Sequence, residues 1–230
     1  MISTAVGDHI KTALGSLGNW ASTFSEPARA TIARPEIRRE IGRLTFIDSY
    51  HRIRQTTPLI LAAVQALDAR FDHDNARFWA HHLEEEYGHD AVMRRDIVAM
   101  LGDERRATEA LREASITPPS VALIGFFEWQ VRHNNPHLLI FLRLFLERLT
   151  TELGDTQVAA VHDLIPGGSE VVRLHREEDH GHAAECSDYA DRNFRSEDLA
   201  TAVWVVDFIA LCLNEAQSWV AAHVLGRAAR

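Results

Sequence analysis

Apolar residues recur along this 230-residue chain at three- and four-residue spacings, and no alternating apolar–polar run is long enough to read as a half-buried strand. Pro27, Pro35, Pro58, Pro118, Pro119, Pro136 and Pro166 punctuate the pattern. The segments between them predict helices over roughly 3–22, 35–55, 58–71, 74–101, 119–133, 136–153, 168–192 and 196–226. Asp72 and Asp74 suit the start of the fourth, and Ser196-Glu197-Asp198 the start of the last. Gly102 and Gly154 follow helical runs and suit C-terminal caps. No linker or low-complexity stretch divides the chain, so one all-α domain over 1–230 is expected, a bundle of seven or eight helices.

Two octapeptides break the ordinary division of polar outside and apolar inside. His82-Leu83-Glu84-Glu85-Glu86-Tyr87-Gly88-His89 and His175-Arg176-Glu177-Glu178-Asp179-His180-Gly181-His182 share the pattern H-x-E-E-[E/D]-x-G-H, 93 residues apart. Residues three and four apart share a helix face. One face then reads Phe78, His82, Glu86, His89, Met93, Ile97; the other reads Val172, His175, Asp179, His182, Cys186, Tyr189. Ionisable groups occupy the middle of each stripe and apolar groups its ends, so the ionisable groups point into a core. Unpaired burial of such groups costs several kcal/mol or more. Two facing helices that each offer imidazole and carboxylate suggest a metal ion as the partner. A solvated acidic face accounts for Glu84, Glu85, Glu177 and Glu178. The mixture of nitrogen and oxygen donors suits iron or manganese, and its size suits two ions better than one.

Glu147 lies in the most apolar surroundings of any carboxylate in the chain. Spacing supports two readings: an Arg143–Glu147 pair at i,i+4, or a carboxylate that bridges two ions. Glu128, between Phe127 and Trp129, competes for that role. Asp207, inside an apolar run, is expected to accept a hydrogen bond from a ligand histidine or to be a satisfied core acid.

Charge and composition narrow the classes further. The formal net charge of −9 argues against wrapping a nucleic-acid backbone. Lys11 is the only lysine, which leaves almost no candidate for a Schiff base, and no phosphate-binding P-loop signature is present. Cys186 and Cys212 form neither a disulfide framework nor a metal knuckle, as suits a reducing compartment. The first twenty residues carry Asp8, His9 and Lys11 and no long apolar run, and no unbroken stretch of about 18 apolar residues occurs. A cytoplasmic protein without a membrane span is expected. Trp204 and Trp219 on the last helix suit a homodimer contact.

The spacing His175-x3-Asp179-x2-His182 resembles the late ligand motif of the haem-oxygenase-like di-iron oxidases and oxygenases. In that family one helix supplies Glu and His, a middle helix a Glu, and a late helix this motif. Glu86 and His89 match the first and Glu147 the second. The resemblance covers most of the chain and rests on about six residues. It implies a haem-oxygenase-like bundle and two Fe(II) ions held by Glu86, His89, Glu147, His175, Asp179 and His182. It also implies O2 as co-substrate and a small organic substrate, amino-acid- or amine-like, undergoing N-oxygenation, desaturation or oxidative C–C cleavage in a natural-product pathway. Many members carry a Glu seven residues before the first ligand His, where this chain has His82. Seven residues span about 10 Å of helix, so His82 is expected to serve a second ion or the substrate rather than the ion of His89. An extra carboxylate from an earlier helix falls to Glu40 or Asp68. Gly88 and Gly181 suit close helix approach or local unwinding. Two other readings stay open. A ferritin-like carboxylate protein uses Glu86-x-x-His89 and Glu177-x-x-His180; a haem-binding or non-enzymatic bundle uses the histidines as axial ligands or core groups. His180 and His182 lie about 200° apart around a helix, and the inward apolar stripe favours His182.

Overall fold

The computed structural model describes residues 1–17, 20–114, 116–152 and 155–229, with backbone alone for 155–157, 160 and 176–180. Every regular element among the described residues is helical. They are α1 (Ile2–Leu17), α2 (Glu26–Ile32), α3 (Pro35–Ile53), α4 (Thr56–Asp68), α5 (His73–Glu86) and α6 (His89–Leu101). They continue with α7 (Glu104–Glu113), α8 (Pro118–His133), α9 (Leu139–Thr151), α10 (Asp155–His162), α11 (Glu170–Asn193) and α12 (Leu199–Ala228). The all-α expectation holds, with more and shorter helices than the seven or eight expected. The additions, α2, α7 and α10, are short. In α7 Ala107 is buried, and Ala110, Leu111 and Ala114 on the same face pack beside it.

Two helices make the centre. α12 packs on α1, α3, α8 and α9. By length and composition Ser196–Ala228 is apolar enough to cross a membrane, one such helix among the described residues; here Val205, Val206, Ile209 and Leu213 are buried in the core. Burying each side chain of that size contributes about 1.5–3 kcal/mol. Trp204 and Trp219 stand on its outer face, both exposed. The other central helix, α9, is buried on every face: Leu139 through Phe145 and Glu147 are all inaccessible. A helix apolar all round belongs inside, and this one takes Arg143 and Glu147 in with it. α9 packs most extensively on α11, which lies beside α6 and α1.

The expected helix over 74–101 is two helices. Tyr87 is extended (φ −67°, ψ 118°) and Gly88 is left-handed (φ 95°), which ends α5 and restarts the chain as α6. The Gly88 carbonyl accepts from Ala91 and Val92 at 3.0 and 3.1 Å. Gly181 keeps its place inside the continuous α11. A Cβ added at either glycine meets nothing within 4 Å, so neither serves close helix approach. Gly102 caps α6 in the left-handed conformation (φ 89°), as expected; Gly154 lies outside the described residues. Cys186 and Cys212 are free and buried.

Candidate metal centre

Four helices bring ionisable groups to one buried region. α5 presents His82, Glu85 and Glu86, α6 begins with His89, α9 presents Arg143 and Glu147, and α11 presents His175 and His182. His82 and Glu147 are 1% exposed, Glu86 and Arg143 4%, His89 6% and His182 7%, so none can rely on water for solvation. Asp179 and His180 are on α11, but their side chains lie outside the described residues, as do those of Glu177 and Glu178.

Two sets of donors emerge, each with ligand atoms within 4.8 Å of one another. The outer group is Glu86, His89 and His175; the inner group is His82, Glu86 and Glu147. Glu86 belongs to both. In the outer group Glu86 Oε2 is 3.3 Å from His89 Nδ1, and the rings of His89 and His175 are 4.8 Å apart centre to centre. His175 Nδ1 lies 2.8 Å from the Val171 carbonyl. A carbonyl only accepts, so Nδ1 carries the proton and Nε2 keeps its lone pair, the usual way a ligand histidine is oriented. Burial lowers the pKa of His175 from its ordinary value. Two imidazoles and one carboxylate is the donor set of a non-haem iron site with open positions.

In the inner group His82 Nε2 and Glu147 Oε1 are 3.8 Å apart. Arg143 lies among them. Its Nε donates to His82 Nε2 at 2.8 Å, and its Nη2 donates to Glu86 Oε1 and Glu147 Oε1. The Arg143–Glu147 pair anticipated at i,i+4 is therefore formed, with Glu86 as a second carboxylate partner. Burial would raise the Glu86 carboxyl, but Arg143 and His89 outweigh it and hold Glu86 below the ordinary carboxylate range. Burial, with Arg143 adding to it, pushes His82 down to about 3. His82 is thus neutral, and its Nδ1 faces Glu85 Oε2 at 3.4 Å.

His182 closes the group from α11, with Nδ1 3.6 Å from Glu147 Oε2 and Nε2 3.4 Å from Glu85 Oε2. The Glu147 carboxylate beside it, opposed by burial, raises it to about 9. The rings of His82 and His182 are 5.4 Å apart. An apolar wall stands behind His82. Phe78 stacks on it at 5.9 Å, Trp79 meets it edge-on, and Trp79 Nε1 donates to the Tyr189 hydroxyl at 3.0 Å. Burial raises the Cys186 thiol, which keeps it protonated.

The structure separates the remaining candidates from this region. Glu128 pairs with Arg132 on the exposed face of α8. Asp207, expected inward, is on the exposed side of α12, where it binds His9 at 2.7 Å. Glu40 pairs with Arg43, and Asp68 with His73. His82 stands with Glu86 and Glu147. His82 and His89 sit on different helices, because the backbone turns at Gly88. Glu85, read from sequence as part of a solvated face, turns Oε2 inward to His82 and His182. Its only sequence signal was the i,i+3 spacing from His82. A further set, His81, Glu85 and Glu185, lies at the solvent edge of the same region.

The residues present fit a metal. Two buried groups of nitrogen and oxygen donors share a carboxylate, one imidazole is oriented through its far nitrogen, and His82 Nδ1 and Glu85 Oε2 make no hydrogen bond among the described residues.

Neither a family model nor a curated protein matches the chain. A solved structure, a domain of unknown function with a haem-oxygenase-like fold from Shewanella denitrificans OS217, aligns with a TM-score of 0.68 at 17% identity. The alignment covers 97% of this chain and 90% of that one. At that identity the likeness is one of architecture: the protein has the haem-oxygenase-like fold, with His/Glu clusters at its centre capable of holding metal.

Proposed function

We propose that the protein is a non-haem di-iron oxidase or oxygenase that uses O2 to oxidise a small organic molecule. The observation that carries this reading is the pair of buried donor groups joined through Glu86. Glu86, His89 and His175 would hold one iron; His82, Glu86 and Glu147 would hold the other, with His182 and Asp179 completing the set that the family resemblance implies. Bound iron supplies O2 reduction and the oxidising equivalents. The protein does the rest. Val171 orients His175 through its Nδ1–H. Phe78, Trp79 and Tyr189 exclude water behind His82. Glu147 raises the proton affinity of His182. The substrate class we assign is amino-acid- or amine-like, following the resemblance of the late motif; the reaction is N-oxygenation, desaturation or oxidative C–C cleavage.

One rival is a structural ion-pair network centred on Arg143. It explains Glu86 and Glu147 but gives no reason for His89 and His175 to gather beside Glu86. The ferritin-like frame omits His175, which stands in the outer group. The test is anaerobic Fe(II) loading, iron counting, and an absorbance trace on addition of O2, followed by mass spectrometry of products from candidate amino acids. Iron retention with an O2-dependent product supports the proposal. No iron retained, or a stable Soret band with haem instead, defeats it.

A further inference from the structure

We propose that Arg143 is the resident cation of the inner donor group: a metal ion enters that position only by displacing its guanidinium, whereas the outer group takes an ion with Arg143 in place. This rests on the metal-centre reading above and adds to it an order of loading and the residue that sets it.

The argument runs atom by atom. Arg143 spends one N–H on His82 Nε2, and its Nη2 serves both Glu86 Oε1 and Glu147 Oε1. Each member of the inner group thus gives one ligand atom to the guanidinium. The single lone pair of His82 Nε2 cannot serve an N–H and a metal at once, and Arg143 Nη2 already takes the place shared by the two carboxylate oxygens. In the outer group the guanidinium bonds reach Glu86 Oε1 alone. Glu86 turns its other oxygen, Oε2, toward His89, and His175 is fixed through Nδ1 with Nε2 uncommitted to that bond.

Charge explains why the arginine is there. Glu86 and Glu147 are almost fully buried, and buried carboxylates need a cation beside them. A guanidinium never deprotonates in a protein, so Arg143 leaves by moving, not by titration. A divalent ion brings twice the charge to the same oxygens. Its arrival removes the reason for the arginine to stay. The two positions therefore differ in cost: the outer ion comes between His89 and Glu86, and the inner ion has to break Arg143 from three partners.

The test uses Zn(II), which keeps the sample diamagnetic, in calorimetric titration with metal counting after desalting. The wild-type protein is expected to retain one ion per chain, with a second binding at least about tenfold more weakly. In Arg143→Gln the second ion is expected to bind about tenfold more tightly than in wild type. That variant leaves two buried carboxylates without their cation, so a second measurement uses the wild-type chain. The Arg143 side-chain Nε–H resonance, assigned by its absence from Arg143→Lys, is expected to hold still through the first equivalent of Zn(II) and to shift during the second. The proposal is overturned if wild type binds two ions with equal affinity while that resonance is unmoved, or if a folded Arg143→Gln binds its second ion no more tightly than wild type. Failure of both proteins to retain any ion overturns the metal centre itself, a result distinct from either of these.

Discussion

Gly88 and Gly181 occupy the same place in the two matching octapeptides and have opposite backbones. Gly88 is left-handed between two helices (φ 95°); Gly181 is helical within α11. The difference places His89 at the first turn of α6, where helix-end amides favour the nearby Glu86 carboxylate.

The two glycines therefore respond oppositely to alanine. Gly88→Ala forces a Cβ into the left-handed region and is expected to cost about 1–2 kcal/mol. Gly181→Ala removes a helix-weakening residue and is expected to add about 0.5–1 kcal/mol. A Cβ at either site meets open space, so packing does not confuse the comparison. Urea denaturation of both variants, with chelator present, measures the two shifts.

Asp96 fastens the start of the helix that carries His175. It accepts from Ser169 Oγ at 2.7 Å and from the Glu170 and Val171 amides at 3.0 Å each. Asp96→Ala leaves these buried donors unmet and is expected to lower stability by about 1–3 kcal/mol. It also releases the backbone to which the His175 ring is anchored, so metal retention is expected to fall about tenfold. Denaturation and Zn(II) titration of one sample check both effects; a stability loss with unchanged metal binding would detach the cap from the site.

His182 sets a pH dependence. Glu147 raises its folded value to about 9, above the ordinary value of about 6.5. A raised cationic group stabilises the folded state fully below about pH 6.5, and this contribution is lost as pH rises to about 9. With chelator present, wild-type stability is expected to decline across that window, and His182→Gln to show a flatter profile. A metal needs a bare imidazole nitrogen, so binding releases the proton and affinity rises with pH over the same range. Proton release in calorimetry with buffers of different ionisation enthalpy measures it; no release below pH 8 would contradict the assignment of His182 to the site.

Removing an outer-group imidazole separates ligands from bystanders. His89→Gln and His175→Gln are each expected to lose at least about tenfold in affinity for the first ion while the fold is kept. His81→Gln, at the solvent edge, is expected to change it little. Circular dichroism and Zn(II) titration of the three proteins make the comparison.

Much of this was legible in sequence, for physical reasons that also mark where legibility ended. The stripes through His82, Glu86 and His175, His182 carried the burial of ligand-type groups, because helix periodicity reports which face is inside. The run around Arg143 and Glu147 carried the burial of α9 in the same way. Periodicity does not report a backbone dihedral, so Gly88 read as an interruption within one helix and not as the junction of two. Short α7 carries a stripe, Ala107, Ala110, Leu111 and Ala114, but one made mostly of alanine, whose small apolar surface marks an inward face weakly. Asp207 misled because its apolar neighbours in sequence face the core while its own side faces solvent. That Arg143 is shared by three partners from two helices is a long-range fact, and only its i,i+4 partner Glu147 was readable.

The central claim is that the buried groups joined by Glu86 hold metal, and locating the ion tests it most directly. Crystals grown with Mn(II) or anaerobic Fe(II) and measured at the metal absorption edge are expected to show an anomalous peak bonded to Glu86, His89 and His175, lost in Glu86→Gln. A peak elsewhere, or none in protein soaked well above saturation, would contradict the account.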